Sequence, residues 1–100
     1  MLETEFKNNT LTAFLSGEID HDSAVEIRAR VDGLAQALRP RLLCLDFGKV
    51  SFMDSSGVGL VMGRYKAARS LGCRVTVRGL RPRDQKIMRL SGLSALVTFQ

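Results

Sequence analysis

One hundred residues, 45% hydrophobic and 25% charged, suit a single domain over 1–100 whose core needs no disulfide or metal staple. No apolar run approaches the roughly 20 residues of a membrane span, and Met1–Phe6 carries Glu3 and Glu5 in place of an apolar signal core, so a cytoplasmic protein without a membrane partner is expected. The net charge of +5 is uneven, with residues 1–54 at −3 and residues 55–100 at +8; such a basic half suits an acidic partner surface or nucleic acid, or it is simply a solvated face.

Two short apolar-bearing runs, Leu2–Lys7 and Thr10–Gly17, flank Asn8-Asn9. Asparagine tolerates the positive φ of a tight turn, so these runs predict a β-hairpin. Gly17-Glu18-Ile19-Asp20-His21-Asp22 breaks the pattern, and Asp20 or Asp22 can cap a helix. From Ser23 to Arg39 the apolar residues Ala24, Ile27, Val31, Leu34, Ala35 and Leu38 recur at helical spacing, and Pro40 stops the run. Leu42–Phe47 is nearly continuously apolar, as in a strand that is central or covered on both faces, and Gly48-Lys49 is expected to end it. A second helix is expected over Val58–Leu71, with Val58, Val61, Met62, Tyr65, Ala68 and Leu71 inward and Gly72 past its end. Cys73–Arg78 alternates with period two and reads as a strand. Pro82 opens a short helix with Ile87 and Leu90 inward and Met88 at its flank, and Leu96–Phe99 is the last strand. The order ββαβαβαβ predicts an α/β fold: a small mixed sheet, with an N-terminal hairpin and then parallel crossovers, flanked by helices.

Between the third strand and the second helix lies Val50-Ser51-Phe52-Met53-Asp54-Ser55-Ser56-Gly57-Val58-Gly59. An acid and two hydroxyls at a helix start can cap it, and a helix N-terminus also tolerates a phosphate. Gly57, Gly59 and Gly63 suggest close backbone approach, to the sheet beneath or to a partner above.

Other chemistries fit less well. His21 is the only histidine, and Asp54-Ser55-Ser56-Gly57 is not a G-x-S-x-G nucleophile elbow, so no catalytic residue is assigned and no enzyme is expected. The glycines miss the dinucleotide spacing, with three residues where the fingerprint has two. One His and two separated Cys give no metal cluster, and no cofactor is expected. Cys44 and Cys73 read as small buried hydrophobes, with a disulfide as the other possibility. No aromatic residues interleave with the basic ones, which speaks against nucleic acid. A phosphorylatable interaction module remains.

Gly17-Glu18-Ile19-Asp20-His21, Leu45-Asp46-Phe47 and Ser51-Phe52-Met53-Asp54-Ser55-Ser56-Gly57-Val58-Gly59 closely resemble the STAS domain of anti-sigma factor antagonists. Gly63-Arg64-Tyr65-Lys66 and Ser91-Gly92-Leu93 resemble the sporulation branch, which antagonises the anti-sigma-F factor. The resemblance spans nearly the whole chain. It implies a partner that is both an anti-sigma factor and a serine kinase. The unphosphorylated antagonist would bind this kinase and release sigma, phosphorylation on Ser56 would break the complex, and a serine phosphatase would reset it. It further implies a kinase interface at Asp20, Asp54, Ser55, Ser56, Gly57, Gly59 and Arg64, with Asp54 positioning the loop and Asp54 or Ser55 capping the helix. The alternative within the family is a STAS scaffold or sensor subunit of a stress-signalling complex with no sigma-releasing role. Two departures stand out. The family member most resembled continues with a helix after the last strand, where this sequence ends at Gln100, and Arg81-Pro82-Arg83 makes the C-terminal half unusually basic.

Overall fold

A computed structural model describes Met1–Gln100. Strands β1 (Leu2–Lys7) and β2 (Thr10–Ile19) form an antiparallel hairpin, and the sheet runs β1-β2-β3-β4-β5 with β2 to β5 all parallel. The hairpin turn is made by Asn8 and Asn9 at φ 52° and 61°, the left-handed pair that a two-residue turn matching the strand twist requires. β3 is Leu42–Met53, β4 Arg74–Arg78 and β5 Thr98–Phe99. Helices α1 (His21–Leu38), α2 (Ser56–Ser70) and α3 (Pro82–Leu90) occupy the three crossovers, and a short 3-10 turn, Leu93–Ala95, precedes β5.

Strand residues alternate between two faces. Leu11, Ala13, Leu15, Leu43, Leu45, Val75 and Val77 all belong to one buried cluster, which also takes in Ile27 and Val31 of α1, Leu60 and Val61 of α2, and Met88 of α3. The other face is mixed, with Thr12, Cys44 and Thr76 in one cross-strand row and Phe14, Asp46 and Arg78 in the next. β3 is therefore central, but its second face is not a second apolar core. Cys44 and Cys73 are both buried free thiols.

The structure corrects four local expectations. β3 does not stop at Gly48-Lys49. The Asp46 carboxylate accepts the Gly48 N–H at 2.8 Å, and register shifts in the β2–β3 pairing between Phe14 and Ser16 and between Gly17 and Glu18 let both strands continue to Ile19 and Met53. α1 starts at His21, two residues earlier than expected, because Asp20 and Ser23 form a reciprocal capping box with both bonds at 2.9 Å; His21 thus lies in the helix. α3 turns the other way. Asp84 and Met88 are its buried pair, while Ile87 and Leu90 are exposed. β5 shrinks to two residues because the 3-10 turn takes up the chain before it.

Candidate functional site: the β3–α2 junction

β2 and β3 end side by side, with Ile19 paired to Met53. The next N–H, that of Asp54, donates to the Ile19 carbonyl at 3.2 Å and ties the loop to the adjacent strand end. Asp20 follows Ile19, so Asp20 and Asp54 emerge together at the same end of the sheet. The bonds from Ser23 hold the Asp20 carboxyl below its usual range.

The turn into α2 is capped from Asp54. Its Oδ1 accepts the Ser56 N–H at 2.8 Å, and its carbonyl accepts the Gly57 N–H at 3.0 Å. Ser55 occupies the cap position with helical dihedrals, but its side chain makes no capping bond. Of the two capping candidates, the structure therefore selects Asp54. Ser56 is the first helical residue, half-buried, and Ser55 is exposed. Neither serine hydroxyl takes part in a hydrogen bond within the chain. Ser56 thus carries an uncommitted hydroxyl at a positive helix end, where an added anion is favoured.

The three glycines have different roles. Gly57 is buried, and a Cβ there would run into the Met53 side chain. It is the close approach of helix to sheet. Gly59 and Gly63 would meet nothing within 4 Å and face outward. On α1, His21, Ala24, Val25 and Arg28 form one stripe at helical spacing. Opposite them Ser56, Gly59, Leu60 and Gly63 form the matching stripe of α2, and the two border a shallow groove of about 310 Å³. The missing side chains keep this groove open below Ser56.

Arg64 lies at the base of the groove but is 4% exposed, so it is not a free contact residue. Its Nε and Nη2 donate to the two Asp32 carboxylate oxygens at 2.7 and 3.1 Å, and Nη1 reaches the Leu60 carbonyl at 3.4 Å. Burial pushes the Arg64 guanidinium pKa down and the Asp32 charge opposes it. The pair locks α1 to α2 beneath the serine.

One contact at this end had no local signal in the sequence. Arg81, just before α3, donates Nη1 to the Ser51 carbonyl at 2.7 Å and Nε to Asp84 Oδ2 at 2.9 Å. It straps the tail of β3 to α3 across thirty residues of chain. No three His, Cys, Asp or Glu side chains converge as a metal site, and no helix is long and apolar enough to cross a membrane.

The STAS domain family model matches residues 1–100. An anti-sigma F factor antagonist of Paenibacillus polymyxa is 33% identical over 92 residues, covering 92% of this chain and 79% of the relative. Among solved structures, the anti-sigma factor antagonist SpoIIAA in its unphosphorylated form superposes with a TM-score of 0.80 at 27% identity, covering all of this chain and 87% of that one. The Bacillus cell fate determinant SpoIIAA in the phosphorylated form superposes with a TM-score of 0.79 at 30% identity, covering all of this chain and 91% of that one.

Proposed function

From the premise that the chain belongs to the STAS domain family, and within it to the anti-sigma factor antagonists, we propose that it is a partner-switching regulator whose switch is Ser56. In its unphosphorylated form it binds an anti-sigma factor that is also a serine kinase, and the bound sigma factor is released. The kinase then transfers the γ-phosphoryl group of ATP to the Ser56 Oγ, which loses its proton and leaves ADP. The modified protein dissociates, and a serine phosphatase returns the hydroxyl by hydrolysis. The protein itself is not an enzyme in this cycle.

The observation that carries this reading is the Ser56 hydroxyl. It is uncommitted and stands on a helix whose capping is already supplied by Asp54. A phosphate of about −1.5 to −2 charge can be added there without removing a structural bond. The kinase would meet Asp20, Asp54, Ser55, Ser56 and Gly59. Gly57 would act from beneath by seating α2 on Met53, and Arg64 by bracing α2 against Asp32. Release would come from added negative charge beside Asp54 and from steric filling of the groove mouth, with the fold unchanged. A circular-dichroism spectrum that collapses on phosphorylation would count against this.

The test is titration of the anti-sigma factor with Ser56→Ala and wild type in the presence of ATP. Ser56→Ala should bind and stay bound while wild type is released. A variant released like wild type would remove Ser56 from the mechanism. Binding of the anti-sigma factor by neither form, with the chain instead forming large assemblies, would favour the scaffold reading.

A further inference from the structure

The end of the sheet opposite Ser56 has its own chemistry. Lys7, Thr10, Leu42 and Arg74 form one cross-strand row there. Arg41 precedes that row, and its carbonyl accepts the Arg74 N–H at 3.0 Å. Arg39 caps the C-terminus of α1, and Arg69 lies in the last turn of α2. Five cations therefore gather at one end of the molecule, and none takes part in the chain's three ion pairs. Two helix C-termini point the same way, each worth about half a negative charge. They offset only a small part of the cluster.

The surface is recessed. A groove of about 510 Å³ lies between Arg41 and Arg74 over Leu42 and Thr76. A second, of about 280 Å³, lies between Arg69 and Arg74 over Cys73 and Leu96. Gly72, Arg74, Val75 and Thr98 line both, so they are continuous around the start of β4.

We propose that this basic end is a docking surface for an extended acidic segment of a protein partner, one that alternates carboxylates with apolar side chains. Four of the five cations are arginines, whose planar forks pair with carboxylates in a bidentate manner. Leu96, 39% exposed beside them, offers the apolar surface for the intervening side chains. A flat lipid surface cannot enter the recess. Tyr65 is the only aromatic residue lining it, and its hydroxyl accepts a bond from Arg69, so there is no stacking platform for single-stranded nucleic acid. The surface lies the whole length of β3 away from Ser56. It can be occupied in either phosphorylation state, and the proposal stands independently of the Ser56 switch.

The experiment uses the full chain and a fluorescein-labelled peptide of alternating glutamate and leucine, read by anisotropy. Arg41→Glu/Arg74→Glu should weaken binding by about tenfold or more. Lys49→Glu/Arg83→Glu makes the same change of net charge away from the surface and should stay within about twofold. Circular dichroism checks that both variants fold. Four results would each overturn the proposal: no peptide binding by wild type; equal loss in both double variants; tighter, Arg41- and Arg74-dependent binding to duplex DNA or to phosphatidylserine vesicles; or self-association in sedimentation that Arg41→Glu/Arg74→Glu abolishes.

Discussion

Arg64 of α2 closes on Asp32 of α1 with two parallel hydrogen bonds, 2.7 and 3.1 Å, at the base of the groove that holds Ser56. Arg64→Ala would leave the Asp32 carboxylate facing a partly buried gap. Breaking a fully buried pair costs about 3–5 kcal/mol. The Asp32 side chain keeps 30% of its exposure, so we expect a loss of about 2–3 kcal/mol. Arg64→Lys should recover little of it, because an ammonium cannot make both bonds. Urea denaturation measures both. A cost below about 0.5 kcal/mol for Arg64→Ala, the range of ordinary surface changes, would contradict the bracing role given to the pair.

The seat of α2 on the sheet depends on Gly57 having no side chain above Met53. Gly57→Ala should cost about 1–3 kcal/mol by overpacking. In a Met53→Ala background, where the obstructing side chain is gone, the same change should cost far less. The coupling energy from this double-mutant cycle is the quantity to measure, and a value near zero would mean that Gly57 is needed for some other reason.

The division of labour at the helix start gives a third expectation. Asp54→Ala removes the acceptor of the Ser56 N–H and should lower stability by about 1 kcal/mol. Ser55→Ala removes no capping bond and should be close to neutral. Ser56→Asp places negative charge at the first helical position and should leave stability unchanged or raise it by about 0.3–1 kcal/mol. Thermal melts of the three variants decide this. A marked destabilisation by Ser56→Asp would contradict a switch that leaves the fold intact.

Acid should weaken the protein through two carboxylates. Burial pushes the Asp46 pKa up, but the Arg78 hydrogen bond and the Gly48 N–H outweigh it, and the net direction is down. Asp20 is lowered by its Ser23 bonds. A carboxylate with a depressed folded pKa contributes stability above its unfolded value of about 3.9, and this is lost as pH falls through the folded pKa. The urea midpoint should therefore decline from about pH 5 to about pH 2. Asp46→Asn should be less stable than wild type at neutral pH and converge with it at the acid end. Parallel curves would contradict the role given to Asp46.

What could be read from the sequence was what local chemistry decides. Asn8-Asn9 announced the hairpin, and Asp54-Ser55-Ser56 announced a helix start on a strand end, because turns and caps involve residues close in sequence. Contacts between distant residues were illegible. The Asp32–Arg64 pair is one of these, since its partners lie 32 positions apart. The inward face of α3 was expected at Ile87 and Leu90 because a buried acid beside exposed aliphatics inverts the usual pattern; the Arg81 strap that receives Asp84 makes that inversion possible. The continuation of β3 past Gly48 was hidden because it depends on strand register. The glycines needed the structure most, since sequence alone could not separate Gly57, required by Met53, from Gly59 and Gly63, which face open space.

The central claim, that Ser56 carries the switch, is tested most directly by intact-mass spectrometry after incubation with the cognate anti-sigma kinase and ATP. Wild type, Ser55→Ala and Ser56→Ala are run side by side. We expect one phosphate on wild type and on Ser55→Ala and none on Ser56→Ala. A phosphate retained on Ser56→Ala, or none on wild type with a kinase shown to be active, would contradict the account.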